Sequence, residues 1–131
     1  YYGYGPYESY SDKHRASWVD RFDTTVDDMF EDYVFPQENG SHYNCQYASV
    51  GNLYAKGKKP FSFQASRYSE KELDEKAHNF ELVPSDGIYV ALDYKQSGIG
   101  SNSCGPRLAE KYQIREEKIE WEISLRFDNK N

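Results

Sequence analysis

Cysteine is scarce in this chain, with Cys45 and Cys104 the 2 present among 131 residues. Two thiols make at most one bridge. That excludes a disulfide framework and fits a reducing, cytoplasmic compartment. Long hydrophobic runs are missing as well: no stretch approaches the roughly 18 apolar residues of a membrane-spanning helix, and no signal-like apolar core is present. Positive charge is in deficit, with 16 Lys and Arg against 22 Asp and Glu, a net charge of −6 and a pI near 5.1. Phosphate binding wants a basic patch, so nucleic acid is not expected as a partner. Lys56, Lys58 and Lys59 make the only basic cluster, which reads as a solvated loop around "KGKKP".

Aromatics, by contrast, are plentiful: 13 Tyr, 7 Phe and 2 Trp. Tyrosine has an apolar body and a polar tip, so it suits half-buried strands, interfaces and sugar-facing surfaces. The length is that of one domain or of part of a larger one. Without an initiator Met, and opening mid-pattern on "YYGYGPYESY", the chain reads as a piece of a longer protein.

The periodicity is mostly that of strands. Trp18–Phe22 alternates weakly, and Tyr33–Phe35 reads as a strand that ends against Pro36. In "HYNCQYASV", Tyr43, Cys45, Tyr47 and Ser49 share one parity. A turn at "KGKKP" then leads into "FSFQASRY", with Phe61, Phe63, Ala65 and Arg67 on one face. Ser69 opens the one credible helix, a capping box in which Glu72 reaches back and Leu73 and Ala77 form a thin apolar stripe. Phe80–Val83, a Pro84–Gly87 turn and the strand "IYVALDY" follow. In "KIEWEISLRFD", Ile119, Trp121, Ile123, Leu125 and Phe127 alternate with Glu120, Glu122, Ser124 and Arg126, which predicts one buried and one wet face. Trp18 and Trp121 are read as core. The expected class is all-β, an antiparallel β-sandwich with one short helix.

Generic catalytic patterns are absent. His14, His42 and His78 are scattered, with no His or Cys pair at metal-ligand spacing, so no metal site is expected. No serine stands in a nucleophile elbow, and neither "GYGPYE" nor "GIGSNSCG" has the strand–loop–helix setting of a phosphate cradle. No two of the acids are singled out by spacing as a glycosidase pair. The densest polar stretch is "YVFPQENG". There Pro36 and Gly40 set turn geometry, and Asn39-Gly40 suits left-handed conformations. Gln37, Glu38 and Asn39 either cap that turn or tie it to a neighbouring loop or domain. Glu8, Tyr10 and Asp12 are candidates to bond backbone groups.

Three longer motifs occur in order: "GYGPYESYSDK" (Gly3 to Lys13), "YVFPQENG" (Tyr33 to Gly40) and "GIGSNSCGP" (Gly98 to Pro106), with "SRYS" (Ser66 to Ser69) between the last two. Together they closely resemble the C-terminal, small-chain domain of the large β-galactosidases of glycoside hydrolase family two, and the resemblance runs from Tyr1 to Leu125.

That resemblance implies that residues 1–131 are the later part of a β-supersandwich of galactose-mutarotase-like fold, with no internal boundary. It implies a retaining β-galactosidase, acting on terminal β-D-galactosides such as lactose. The two catalytic glutamates lie on an upstream barrel, so this chain is expected to be inactive alone. Magnesium and sodium would be bound elsewhere in the parent, and no cofactor is expected in this chain. Its partners would be the upstream barrel and sandwich domains and the galactoside substrate. The "GIGSNSCGP" loop would close part of the active-site mouth, bringing Asn102, Ser103 and Cys104 towards the substrate. The position of Cys104 is Trp in some family members and Cys in others, so here an aromatic platform for the leaving sugar is missing. Read without the family, Cys104 is a small loop thiol. The alternative is an independent carbohydrate-binding module, which would present two or three aromatics on one exposed face. An isolated fragment of a supersandwich should also expose an apolar surface and self-associate, which light scattering would detect.

Overall fold

The computed structural model describes residues 1–100 and 107–129. Six antiparallel strands form one sheet: β1 (Tyr2–Gly5), β2 (Trp18–Arg21), β3 (His42–Val50), β4 (Leu53–Ser66), β5 (Tyr89–Asp93) and β6 (Ile123–Phe127). The order across the sheet is β2-β1-β3-β4-β5, and β6 also pairs with β4. One α-helix, α1 (Glu70–Glu75), and two 3₁₀ turns complete the regular structure of the described residues. The expected all-β antiparallel class with one short helix is therefore what is found. Among the described residues, no helix is long and apolar enough to cross a membrane.

The centre of the sheet is the β3–β4 hairpin, closed by Gly51-Asn52 with Gly51 at φ +58. β4 has β3 on one edge, while β5 and β6 share the other: β5 pairs with Ser62–Ser66 and β6 with Leu53–Gly57. Because β4 runs unbroken through "KGKKP", the expected turn there is corrected to an irregular stretch inside a long strand. Two steps along β3, from Cys45 to Tyr47, face five along β4, from Phe61 to Lys56. Pro60 falls in that irregularity, where the missing N–H removes no paired rung.

Phe61, Phe63 and Ala65 of β4 pack with Cys45, Ala48, Ala55, Tyr1 and Met29 to form the core, so the predicted face of β4 is buried. On β3 the buried positions are His42, Cys45 and Ala48, not one parity. Asn44, at φ 58, accompanies a register shift that turns both His42 and Cys45 inward. Cys45 is a free, fully buried thiol, and burial pushes its pKa up to about 12, so it is inert packing.

Other expectations need correcting. Tyr33–Phe35 is not a strand; isolated bonds hold it, such as Asn79 N–H donating to the Val34 carbonyl, and the side chains of Val34 and Phe35 are exposed. Ser69 caps α1 as predicted, its hydroxyl accepting the Glu72 N–H at 3.0 Å. Glu72 does not reach back, because its carboxylate accepts the Val83 N–H at 2.9 Å. Leu73 is buried, but Ala77 lies beyond the helix and is exposed. Trp18 stands 53% exposed on the edge strand β2, edge-on to Phe22. On the last strand only Trp121 and Ile123 pack partly against the core, whereas Ile119, Leu125 and Phe127 are exposed, Phe127 by 64%. β6 borders only Leu53–Gly57 of β4, and its Leu125 and Phe127 side chains stay exposed.

Candidate functional site

The first two signature segments meet at one buried carboxylate. β1 ends at Gly5, and the chain turns to bring the Glu8 side chain inside, where it is 3% exposed. One Glu8 oxygen accepts from Lys13 Nζ and from the Tyr33 hydroxyl. The other accepts the Gly40 N–H at 2.9 Å and the Tyr10 hydroxyl at 3.5 Å. Burial pushes the Glu8 pKa upward, but the bonds from Lys13, Tyr33 and Gly40 together outweigh it, and the carboxyl is held below its ordinary value. Ser9 adds a second tie, with its N–H on the Ser41 carbonyl at 2.7 Å and its hydroxyl accepting the Tyr43 N–H at 2.9 Å.

The corner at 36–40 is closed mainly by Asn39 and Gly40. Asn39 Oδ1 accepts the Glu31 N–H at 3.0 Å, Nδ2 donates to the Gln37 carbonyl at 2.9 Å, and the Asn39 carbonyl accepts from Gln64. Gly40 has φ +70, and a Cβ there would stand 2.3 Å from the Met29 carbonyl oxygen. Left-handed backbone disfavours any side chain, and this contact disfavours it again. Gly40→Ala is expected to lower stability by about 2–4 kcal/mol. A urea midpoint within error of wild type would contradict this.

The third signature segment joins through Asp12. Its two carboxylate oxygens accept the N–H groups of Ile99 and Gly100, each at 2.9 Å. Gln96 Nε2 donates to Glu38, and the Ser11 hydroxyl reaches the Gln96 carbonyl at 3.5 Å. Segments more than 80 residues apart in sequence thus share one polar junction. Glu38 has its pKa raised, by burial first and by the charge of Asp93 next. It shares with Pro36, Gln37, Gln64, Tyr68 and Tyr89 the wall of a groove of about 1020 Å³ between the corner, α1 and β5.

Of the candidate positions, Pro36, Gln37, Glu38, Asn39 and Gly40 are thus at the corner. Glu38 bonds Gln96, Asn39 bonds Glu31 and Gln64, and Gly40 bonds Glu8. Asn102, Ser103 and Cys104 lie outside the described residues. Lys13 and Tyr33, which complete the Glu8 cluster, stand at the ends of two of the motifs, but no periodicity pairs them with Glu8, because single polar residues in loops have no period. His42 is the other residue missed. It is 2% exposed, its Nδ1–H donates to the Tyr4 carbonyl at 3.1 Å, and its ring stacks on Tyr1 with centroids 4.2 Å apart. Burial brings its pKa down to about 4, so it is neutral at pH 7.

The junction's carboxylates are engaged in holding this chain's own groups: Asp12 takes two backbone N–H groups and Glu8 one. Glu8 accepts from four donors, three of them side chains. No group of three or more His, Cys, Asp or Glu able to hold a metal occurs among the described residues.

Comparison with known proteins fits these observations. The family model described as the beta galactosidase small chain matches residues 1–127. A β-galactosidase of Actinobacillus pleuropneumoniae is 48% identical over 128 residues, which is 98% of this chain. One from Staphylococcus xylosus is 43% identical over 131 residues, 97% of this chain, and one from Pseudoalteromonas haloplanktis 31% over 124, 94% of it. The chain spans only 12–13% of the length of these relatives. With a family match over residues 1–127 and relatives up to 48% identical over 98% of its length, the chain belongs to the β-galactosidase small-chain family.

Proposed function

We propose that this chain is a non-catalytic part of a retaining β-galactosidase that hydrolyses terminal β-D-galactosides such as lactose. In this reading it packs on the barrel and sandwich domains of the same enzyme and contributes the loop after Gly100 to the active-site mouth. The observation that carries the reading is the near end-to-end match to a segment amounting to about 13% of much longer β-galactosidases. The junction chemistry supports it, since the carboxylates of Glu8 and Asp12 hold backbone and leave the acid–base work to residues elsewhere. The exposed apolar side chains of β6 support it too, as a surface for the rest of the enzyme to cover. Magnesium and sodium, in this proposal, take their ligands from the other domains.

The rival reading, an independent carbohydrate-binding module, has a direct test. Lactose and galactose are titrated into the isolated chain while its amide resonances are followed. The proposal expects no saturable shifts at millimolar sugar. Saturable shifts gathered on one exposed aromatic face would replace it with a binding module.

A further inference from the structure

We infer that the groove between the corner, α1 and β5 is a docking site for an arginine-bearing segment from the other domains of the same enzyme. This rests on the reading above, in which those domains pack against this chain. The floor of the groove is the face of β4 and β5 that points away from the core. Gln64 pairs with Ala91 and Ser66 with Tyr89, so these four share that face, while Phe63, Ala65, Val90 and Leu92 turn to the core. Asp93, opposite Ser62, continues the same outward row. Such a floor of small polar side chains gives an apolar helix little to bury against. It offers hydrogen-bond acceptors, and about 1020 Å³ of space for a long polar side chain. The rim adds exposed aromatic surface, Phe35 at 66% and Tyr89 at 49%. Aromatic rings beside carboxylates are a setting that holds a guanidinium, by stacking and by paired hydrogen bonds.

The charge of the groove decides the occupant. Glu38 stands on the corner and Glu70 and Asp74 on α1, while Lys71 is the one cation in the wall among the described residues. Lys71 Nζ lies 3.7 Å from Glu75, which is not part of that wall. Neighbouring cations are taken as well, Lys76 by Glu72 and Arg67 by Asp27. Among the described residues, no lysine or arginine forms an ion pair with Glu38, Glu70, Asp74 or Asp93. These acids act on one another instead. Lost solvation and then the charge of Asp93 raise the pKa of Glu38, and lost solvation and then the charge of Glu70 raise that of Asp93. Three elements thus bring uncompensated negative charge to one opening, and a cation entering it gains from all of them. No three acids among the described residues are placed to hold a metal ion, so the carboxylates match an extended cation better than a compact one. Arginine spreads its charge over a planar fork of five donors, enough to reach Glu38 and a second carboxylate together. The chain spans only 12–13% of the length of its relatives, and the remainder supplies the segment.

The test follows hydrogen exchange, by mass spectrometry, across the full-length β-galactosidase that carries this chain. Glu38→Gln with Asp93→Asn removes two of the charges without loss of volume. Glu70→Lys reverses a third on an exposed side chain, and Lys71→Glu makes the groove more acidic. The first two variants should speed exchange about tenfold or more in α1 and in one segment outside this chain, and that segment should contain an arginine. Lys71→Glu should leave exchange in that segment unchanged or slow it, a sign that mere loosening of α1 would not give. Replacing the segment's arginine with glutamate should reproduce the faster exchange in α1, and adding Glu70→Lys to it should reverse most of the effect. A responding segment without an arginine would overturn the inference, as would faster exchange there in Lys71→Glu. The same holds if no groove variant changes exchange outside this chain. Leu125→Asp with Phe127→Asp, on the exposed side chains of β6, separates the two levels. If that variant changes exchange outside this chain and the groove variants do not, only this inference falls. If neither does, the reading of the chain as a packed part of the enzyme falls with it.

Discussion

Replacing Glu8 with alanine is expected to destabilise the chain by about 3–5 kcal/mol, a large share of the roughly 5–15 kcal/mol that a domain of this size possesses. The loss has identifiable parts. The Gly40 N–H would face the void with no acceptor, the hydroxyls of Tyr10 and Tyr33 would lose theirs, and Lys13 would lose its counter-charge. A buried donor left unsatisfied costs about 1–3 kcal/mol by itself. Lys13 is the control for this argument. Its removal leaves the Glu8 carboxylate, 3% exposed, still held by Gly40, Tyr10 and Tyr33. Lys13→Ala should therefore cost less than Glu8→Ala, about 1–3 kcal/mol for one lost partner of a buried acceptor. Urea unfolding of both variants makes the comparison. Equal losses would mean that the ion pair, not the buried bonding to Gly40 and the tyrosines, holds the junction.

The second large effect is on pH. His42 is buried and neutral, with a folded pKa of about 4 against 6.5 for the free side chain. A depressed histidine pKa means that the unfolded chain binds the proton first. Stability is unaffected above pH 6.5 and falls as the pH drops from 6.5 towards 4, by about 3 kcal/mol at the lower limit. Two carboxyls act in the opposite sense over part of this range. Glu38 and Asp93, both raised first by burial, take up protons in the folded state before they would in the unfolded one, which favours folding as the pH falls. Glu8, with its lowered value, loses its contribution only at pH below its ordinary 4.5. Over the interval from 6.5 to 4.5 the comparison with a variant that keeps Glu38 and Asp93 cancels their contribution and leaves that of His42. The difference in unfolding free energy between wild type and His42→Gln should shrink across that interval. A difference that stays constant would show that His42 does not titrate on unfolding.

These two residues mark where the sequence was readable and where it was not. Period and turn chemistry exposed β3, β5, β6 and the later half of β4, the Ser69 cap and the left-handed Gly40, because each is a local preference of the backbone, but not β1, whose glycines read as a loop. Local preference also misled. "KGKKP" has the composition of a turn, yet β4 passes through it because β3, β5 and β6 supply ladders on both sides of the flanking residues. The alternation of β6 was real, but a parity argument assumes that something covers the apolar face. Leu125 and Phe127 have no such cover among the described residues. His42 was hidden by the irregularity at Asn44, which breaks the period that would have revealed it. The Glu8 cluster joins Lys13, Tyr33 and Gly40 across up to 32 residues, and a pairing of that kind is visible only in three dimensions. The motifs announced that these segments matter, and the structure shows that they matter to one another.

The most direct measurement is hydrolysis of a chromogenic β-galactoside by this chain alone, by the remainder of the parent enzyme alone, and by the two mixed. The account predicts no turnover by the chain, little by the remainder, and activity restored on mixing. Turnover by the chain alone would contradict it, because a working carboxylate pair would then have to lie among residues assigned here to holding the fold.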